Sequence, residues 1–367
     1  MKIGVITFWH GNNNYGMILQ CWALQKFLKD MGHIPFIIRY IPELNLPLWR
    51  RILQKVKRSI FCKKKNPNDI TRNFDKFRKE KLTFSIEGYH NINELRKNPP
   101  QADCYITGSD QVWAQLLSNQ NNRAYFLDFG SKQTKRISYA PSFAMESYPE
   151  HLKDELRICL QNFDAISTRE YSGVNICRDL GINAIKVLDP TLLLDKSDYK
   201  EIIYNKCIEN KYIYIYSINI NSIDDIYWDD LKKYADRNNF SILTTPSDGY
   251  IKGEELFGQE SQYSYATVEE WLGNIFYSNL VITPSFHGIA LSIILEKPFI
   301  YIPLKGKYAT GNNRVLDLLK DLNLNDRIKT SDNTFEEIID SNIDWEKVSI
   351  LKNKMRTVSI EYLNKNL

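Results

Sequence analysis

The stretch IGVITFWHGNNNYGMILQCWALQKFLKDMG, residues 3–32, decides the fold class. Its first part, Ile3 to Phe8, is a short apolar run with the length of a buried strand. After a polar loop, Gly16 to about Met31 has the apolar spacing of a helix with one buried face, at Ile18, Leu19, Trp22, Ala23, Phe27 and Leu28. Gly32 is suited to end that helix, because glycine tolerates a positive φ. A strand, a loop and a helix in this order begin a βαβ unit.

The same alternation continues along the chain. Further strand candidates are Phe36 to Ile41, Cys104 to Thr107, Arg136 to Ala140, Ala165 to Thr168 and Ala184 to Leu188, and then Tyr212 to Ile218, Ser241 to Thr245, Leu280 to Thr283 and Phe299 to Ile302. Helical patterns separate the later strands, near Asp224 to Asn238, Val268 to Tyr277 and Ile289 to Leu295. The sequence therefore predicts an α/β fold with two Rossmann-like, doubly wound domains facing across a cleft. We expect the domains at 1–188 and 189–344, followed by a C-terminal helix at 345–367.

Composition excludes several classes of protein. With 43% hydrophobic residues in 367, the chain is neither disordered nor fibrous, and its net charge of +4 is too small to predict nucleic-acid binding. No apolar run has the roughly 18 residues of a membrane span, and no signal-peptide cleavage site follows the apolar start, so we expect a cytoplasmic protein. The six cysteines are scattered without a Cys-x-x-Cys pair, so we expect reduced thiols and no metal site.

One segment, Trp49 to Lys81, differs from the rest in charge, and we call it the basic insertion of the first domain. It carries thirteen basic and three acidic residues, with apolar residues between them. This pattern suits a helix that lies on anionic lipid or binds a phosphorylated partner. A solvated basic helix over the first domain explains the pattern equally well.

Parallel α/β sheets bind ligands beyond the carboxyl ends of their strands, so residues directly after strands are the first candidates for a site. The loop 10–16 (HGNNNYG) leaves backbone N–H groups at a helix N-terminus, which suits an anion, although turn chemistry alone also explains it. It is not G-x-G-x-x-G, and no nicotinamide cofactor is expected. After the strand at 104–107, Ser109, Asp110 and Gln111 either form a site or cap a helix, and Asp110 is placed to orient or deprotonate a hydroxyl.

Three further strand ends carry groups with useful chemistry. Arg169 lies where a helix dipole disfavours a cation, so either an anionic ligand or an ion pair with Glu170 or another acid must compensate. His287 is the one histidine of five that sits between a strand end and a glycine opening an apolar helix, where an imidazole can serve as acid and base. Beyond the last strand, Asn313, Arg314 and Lys305 offer cap and cation contacts to a carboxylate or phosphate.

Six runs carry a resemblance to a known family: Gly4–Phe8 with Asn14–Gly16 and Leu19–Gln20, Ile106–Trp113, Ile166–Glu170, Leu188–Leu193, Ser285–Gly288 and Asn313–Arg314. In order and spacing they resemble the polysaccharide pyruvyl transferase family over the whole chain. The resemblance implies a fold similar to the two-domain GT-B glycosyltransferases. It also implies phosphoenolpyruvate as donor, transfer of a pyruvyl group onto two sugar hydroxyls as a cyclic ketal, and no metal or organic cofactor.

The resemblance also implies roles for residues. The family's anion-binding arginine matches Arg169 and its catalytic histidine matches His287. Several family members have an arginine two residues before that histidine, where this chain has Ser285, and our hypothesis is that Arg314 replaces it. The expected catalytic pair is His287 and Asp110. The expected donor-binding residues, mostly in the second domain, are Arg169, Arg314, Ser285, Asn313 and Lys305, and the expected acceptor-binding residues of the first domain are Asn14, Tyr15, Ser109 and Gln111.

The expected partners are phosphoenolpyruvate and a sugar or lipid-linked oligosaccharide of a capsular, exopolysaccharide or cell-wall glycan. The basic insertion would then place the protein peripherally at the inner membrane surface. Two alternatives remain open. The first is a nucleotide-sugar glycosyltransferase of the same fold. Such enzymes often have a Glu directly before a Gly in the second domain and a second Glu about seven residues later. In this chain His287 stands at the position of the first Glu, and Glu296 lies near the position of the second. The other is an inactive ligand-binding relative, for which Ser285 is the only hint.

Overall fold

The computed structural model describes residues 1–11, 14–43, 72–204, 211–220, 222–247 and 256–367. The first of its two large sheets has five parallel strands in the order β3-β2-β1-β4-β5. Their bounds are β1 Lys2–Ile6, β2 Ile34–Tyr40, β3 Phe84–Tyr89, β4 Cys104–Thr107 and β5 Lys135–Ser138. A short parallel pair, β6 Ser167–Thr168 and β7 Ile185–Lys186, continues from β5 through a bridge between Ile137 and Ala165.

The second sheet has the same architecture. Its five parallel strands lie in the order β10-β9-β8-β11-β12. Their bounds are β8 Tyr212–Ser217, β9 Ser241–Pro246, β10 Gln262–Tyr263, β11 Leu280–Thr283 and β12 Phe299–Tyr301. In both sheets the first strand lies in the centre and the chain crosses to the other side afterwards, which is the topology of a doubly wound domain. The predicted α/β fold with two Rossmann-like units is therefore confirmed.

Helices cover the sheets and fill the spaces between them. Those of the first unit are α1 Tyr15–Asp30, α2 Phe74–Lys81, α3 Ile92–Lys97, α4 Lys153–Leu160 and α5 Tyr171–Asp179. Those that follow are α6 Lys196–Lys200, α7 Trp228–Arg237, α8 Val268–Tyr277, α9 Phe286–Ile294, α10 Asn313–Asp321, α11 Phe335–Asp340 and α12 Trp345–Asn366. Helix α9 is buried along its whole length, because apart from His287 and Ser292 it carries no polar side chain, and the Ser292 hydroxyl donates to the Gly288 carbonyl of the same helix.

One hydrophobic core runs without interruption from the first unit into the second. Tyr15, the first residue of α1, stacks on Trp271 of α8 at 4.9 Å between ring centroids, and its hydroxyl donates a hydrogen bond of 2.6 Å to the Ala266 carbonyl. Arg72 of the first unit donates to the Pro246 carbonyl at 2.6 Å. The carboxyl ends of the two sheets are thus held facing each other.

The chain passes between the two units a second time in α12, which packs back on the first unit. The Tyr362 hydroxyl donates to the Ser138 carbonyl at 2.8 Å, and the Ser359 hydroxyl accepts from the Leu188 amide at 2.9 Å. Arg356 donates from Nε to the Leu193 carbonyl at 2.7 Å, so α12 lies beside the earlier crossing at 188–195. The predicted C-terminal helix therefore ends on the sheet where the chain began.

The sequence patterns missed some elements and merged others. Strands β3 and β10 were not predicted; three consecutive residues of β3 (86–88) are exposed, so this edge strand lacks the alternation of a half-buried strand. The helix predicted at 224–238 is a 3₁₀ turn, Ile223–Ile226, followed by α7, because Tyr227 between them has a φ of 56°.

Most of the basic insertion, 49–71, lies outside the described residues, so the structure says nothing of its predicted helix or of lipid contact. Within the described ranges, no helix is long and apolar enough to cross a membrane. The four cysteines in these ranges, Cys21, Cys104, Cys159 and Cys177, are free and buried.

Candidate functional site

Asp189 lies at the centre of a cluster of polar side chains between the two sheets. Its Oδ1 accepts hydrogen bonds from the Thr191 amide (3.0 Å) and hydroxyl (2.7 Å), which fix the carboxylate in place. Its Oδ2 accepts from Ser109 Oγ at 2.7 Å and from Arg169 Nη1 at 2.9 Å, and lies 3.6 Å from His287 Nε2. A single carboxylate oxygen therefore joins groups from three separate strand ends.

The charges around Asp189 decide its protonation state. Burial alone raises the pKa of this carboxyl, but the neighbouring His287 ring, the Arg169 guanidinium and the Ser109 hydroxyl together hold the pKa well below its usual range. Asp189 is therefore a carboxylate at neutral pH, and its negative charge compensates that of the buried Arg169 guanidinium.

Arg169 follows β6 and is buried, with its guanidinium 4.8 Å from the centre of the Phe286 ring. One of its nitrogens, Nη1, is bonded to Asp189, so the predicted ion pair exists, with Asp189 as its partner. Nε and Nη2 have no hydrogen-bond partner among the described residues. A buried N–H group without a partner costs about 1–3 kcal/mol, so these two donors are suited to a ligand that accepts.

His287 enters the cluster from the second unit, on the first turn of α9. Ser285 caps this helix, since its Oγ accepts from the Gly288 amide at 3.2 Å. The imidazole packs so closely on α1 that a Cβ added at Gly16 would lie 2.0 Å from Nδ1. Its Nε2 has no hydrogen-bond partner in the part of the chain that the structure describes. Nε2 instead lies 3.6 Å from Asp189 Oδ2, the oxygen to which Arg169 Nη1 is bonded, so the imidazole and the guanidinium share one carboxylate.

Arg314, on the first turn of α10, lines one narrow cavity together with Arg169, Asp189 and Phe286. Its Nη1 and Nη2 donate to the Gln111 side-chain oxygen at 2.8 and 2.7 Å, with the Gln111 amide oriented as these donors require. Burial, and then repulsion from Arg169, lowers the pKa of Arg314 to about 10. It remains a cation at neutral pH, and an anion between the two guanidinium groups would relieve their repulsion.

Asp110 has a strained backbone at the carboxyl end of β4. Its φ of 80° is rare for a residue other than glycine, and such outliers concentrate at functional sites. Oδ1 accepts from the Gln111 amide at 2.8 Å, and the Asp110 carbonyl accepts from the Ser142 amide at 2.8 Å, which together hold the turn. The side chain is half-buried, so it lies at the edge of the cluster.

Helix α10 is attached to the first unit at several points. The Tyr171 amide donates to Asp317 at 3.0 Å and its hydroxyl to Asp321 at 3.3 Å, while Lys186 forms an ion pair with Asp321. Asn313 donates to Glu146. These contacts hold the helix that carries Arg314 against the unit that carries Arg169.

The remaining predicted site residues already have partners of their own. Tyr15 is fully buried in the core, so its assignment to the acceptor site is corrected. Its ring stacks on Trp271 of α8, and its hydroxyl donates to the Ala266 carbonyl just before that helix. Asn14 caps α1 through the Met17 amide at 3.1 Å. Lys305 is exposed and lies 3.9 Å from Asp225 Oδ1, and Ser285 serves as the cap of α9. Glu296 is exposed and pairs with Lys196 at 2.6 Å, away from the cluster.

Two carboxylates of the cluster, Asp189 and Glu170, were not predicted as site residues. Asp189 was predicted only as the first residue of the second domain, although its place directly after a predicted strand and before Pro190 was a usable signal. Glu170 was considered only as an ion-pair partner of Arg169. Among the described residues, no group of three or more His, Cys, Asp or Glu side chains is arranged to hold a metal ion.

Comparison with known proteins adds a family and a fold. The family model described as polysaccharide pyruvyl transferase matches residues 14–306. No curated protein matches the sequence.

Among solved structures, the fold resembles UDP-GlcNAc 2-epimerase from Neisseria meningitidis bound to UDP-GlcNAc, with a TM-score of 0.52 and 11% identity over 100% of both chains. It also resembles the S. aureus MnaA-UDP co-structure, with a TM-score of 0.50 and 11% identity over 97% of this chain and 90% of the other. At this identity the likeness concerns the fold alone, and it agrees with the GT-B-like pairing of two Rossmann-like domains.

Proposed function

This chain belongs to the polysaccharide pyruvyl transferase family, and we propose on that basis that it transfers the pyruvyl group of phosphoenolpyruvate onto two hydroxyls of a sugar, forming a cyclic ketal. The sugar would belong to a capsular, exopolysaccharide or cell-wall glycan precursor. The observation that carries the proposal is the convergence of Arg169 and Arg314 on one cavity with Asp189, whose Oδ2 lies 3.6 Å from His287 Nε2, while buried N–H groups of Arg169 have no partners among the described residues.

The donor suits this convergence chemically. Phosphoenolpyruvate carries a carboxylate and a phosphate, so it needs two cationic groups, and the charge on the departing phosphate needs donors that are already in place. In the proposal Arg169 and Arg314 bind these anions, and Arg314 takes the place of the arginine that this chain lacks at Ser285. Asn313, directly before Arg314 on α10, and the exposed Lys305 are further proposed donor contacts.

The proposed reaction has two stages. One hydroxyl oxygen bonds to C2 of the donor and gives up its proton, while C3 takes a proton from His287, turning the methylene into a methyl group. The C2–O bond to phosphate then breaks, and phosphate leaves with the electron pair and the proton of the first hydroxyl. The second hydroxyl closes the ring and returns its proton to His287. Asp110 would orient a hydroxyl, with Ser109, Gln111 and Asn14 near the acceptor. No metal or organic cofactor is required by these steps.

The function is tested on the purified full chain and on cells. Calorimetric titration with phosphoenolpyruvate is expected to give a heat of binding at millimolar donor. Incubation with a panel of sugar nucleotides is expected to release no nucleoside diphosphate. Mass spectrometry of the surface polysaccharide is expected to show a pyruvate ketal that disappears with the gene. Nucleoside diphosphate release without donor binding would instead favour a glycosyltransferase, and donor binding with an unchanged polysaccharide would favour an inactive relative.

The close approach of His287 to Gly16 makes Gly16→Ala a sensitive probe of this reaction. The added methyl group overlaps the imidazole, so the ring must move, and a displacement near 1 Å can lower a rate by about 100-fold. We expect kcat to fall by about that factor, measured as phosphate release. The control is Gly88→Ala, whose Cβ would have no neighbour closer than 3.8 Å. Equal kcat in the two variants would show that the ring position does not matter.

The acceptor determines where the protein would act. We propose a sugar or lipid-linked oligosaccharide as acceptor, and the charge of the basic insertion supports peripheral contact with anionic lipid at the inner membrane surface. Co-sedimentation with phosphatidylserine-containing vesicles is expected to fall when Lys63, Lys64 and Lys65 are reversed to glutamate. Unchanged sedimentation would leave the insertion as a solvated surface.

A further inference from the structure

Glu170 is a buried carboxylate with one oxygen in use and one free. It directly precedes α5 and is 1% exposed. Its Oε1 accepts hydrogen bonds from the Phe143 amide at 2.9 Å and the Ala144 amide at 3.4 Å, and Ala144 itself has a φ of 51°. Its Oε2 has no hydrogen-bond partner among the described residues. The side chain is therefore fixed at one oxygen and available at the other.

Neutralising Arg169 does not account for this free oxygen. Oε2 lies 3.9 Å from Arg169 Nε, beyond hydrogen-bond distance, and that Nε has no partner of its own in the described ranges. Asp189 already pairs with the same guanidinium at 2.9 Å. The two atoms, Oε2 and Nε, make an ion-pair contact without a hydrogen bond. A hydroxyl oxygen to one side of the line that joins them would be within hydrogen-bond distance of both.

The unused atoms around Arg169 specify what a bound molecule must offer. Nε and Nη2 of Arg169 are donors and require an acceptor, such as a phosphate or carboxylate oxygen. Oε2 of Glu170 is an acceptor when ionised and requires a donor. Fully ionised phosphoenolpyruvate has only acceptors, so it satisfies the guanidinium and leaves Glu170 unsatisfied. A hydroxyl group beside the donor supplies the missing proton.

We propose that Glu170 is a second proton-transfer residue of the site: its Oε2 binds one of the two reacting hydroxyls and takes its proton. The inference rests on the proposed function. Two hydroxyls each lose a proton in the reaction, C3 gains one from His287, and His287 recovers one from the second hydroxyl. The proton of the first hydroxyl needs another acceptor as its oxygen bonds to C2. Glu170 takes that proton and passes it to the departing phosphate, which leaves both side chains as they began.

Asp110 is less well placed for this step. Its Oδ1 is bonded to the Gln111 amide, and the side chain is half-buried at the edge of the cluster. Glu170 is fully buried, lies 3.9 Å from Arg169 Nε, and acts on the charge of Arg314 more strongly than Asp110 does. A carboxylate beside Arg169 and shielded from water is close to where the donor would lie, whereas the half-buried Asp110 is placed to orient the sugar.

The test is Glu170→Gln, which preserves shape and the contact with the loop. The amide oxygen of glutamine can accept from Phe143 and Ala144, and its NH₂ group then occupies the position of Oε2, so an acceptor becomes a donor. We expect phosphate release to fall by about 100-fold or more, within the range for loss of a general base. The dissociation constant for phosphoenolpyruvate, measured by calorimetry, is expected to stay the same or decrease, since a negative charge beside the two arginines is removed.

The matched control is Glu361→Gln, an exposed glutamate of α12, which is expected to retain wild-type turnover. If thermal unfolding shows that Glu170→Gln does not fold, Glu170→Asp is the second variant. It keeps the charge, but its shorter side chain moves the carboxylate oxygen away from the reacting hydroxyl. We expect at least a tenfold loss of turnover with unchanged donor affinity. Wild-type turnover in a folded Glu170 variant would overturn the inference, as would loss of donor binding equal to the loss of turnover. Failure of the wild-type chain to bind phosphoenolpyruvate would instead overturn the proposed function.

Discussion

Replacing His287 with asparagine is expected to lower the rate of pyruvyl transfer by about 10³-fold while phosphoenolpyruvate still binds. Proton transfer by a positioned side chain contributes about 10²–10⁴-fold to a rate, and here one imidazole serves both stages of the reaction. Asparagine is polar and fits the space of the ring, but it cannot carry a proton between a hydroxyl and C3. The two guanidinium groups that would hold the donor remain in place.

The measurement pairs phosphate release, for kcat, with calorimetry, for donor affinity. His151→Asn is the control, because His151 is exposed in the 3₁₀ turn Glu150–Leu152 and outside the site. A loss of donor affinity as large as the loss of kcat would mean that His287 binds the donor and does not transfer protons. Retained kcat would remove His287 from the chemistry altogether.

The second large effect concerns stability and is expected for Asp189→Asn. The substitution keeps the shape of the side chain but removes the charge that compensates the buried Arg169 guanidinium. Breaking a buried ion pair by removing one partner costs about 3–5 kcal/mol of unfolding free energy. We expect a loss of that size by chemical denaturation, together with loss of turnover, since Ser109, Arg169 and His287 lose their common anchor.

The pH dependence gives this prediction a second readout. The pKa of Asp189 in the folded protein is depressed below its unfolded value of about 3.9, so its contribution to stability is fully present above that value. The contribution is lost as the pH falls from about 4 through the lower pKa of the folded state. Asp189→Asn should therefore lack this part of the acid destabilisation that the wild-type chain shows.

A surface ion pair supplies the comparison for Asp189. Asp236→Asn on α7 removes the partner of Lys232 in an exposed i, i+4 pair, and we expect its effect on unfolding to stay within about 0.5 kcal/mol. If Asp189→Asn cost no more than Asp236→Asn, the buried cluster would not depend on the Asp189 charge.

The sequence was most informative where a charged or titratable residue directly follows a predicted parallel strand. The carboxyl ends of parallel strands meet, so Arg169 and His287 were predicted near each other although 118 positions separate them. Tyr15 was assigned to the acceptor site as part of the loop 10–16, but it is fully buried in the core. Its burial depends on Trp271, a partner that no local pattern reveals.

The carboxylates were harder to assign from the sequence. An Asp before Pro190 and a Glu before a helix both occur commonly for local reasons, as a turn or a cap. Their role in the cluster arises from geometry: Asp189 accepts from residues 80 and 20 positions earlier in the chain, and Glu170 is held by amides 27 and 26 positions earlier. Such long-range contacts are set by tertiary packing and leave no periodic signal.

The chain crosses between the two units at 188–195 and again in α12, and the two crossings lie against each other through Arg356 and Leu193. A single linker would let one unit rotate about it, whereas two adjacent covalent connections restrict that rotation. The separation of the two guanidinium groups is therefore set by chain connectivity as well as by packing, which favours a donor site that is already formed before the donor binds.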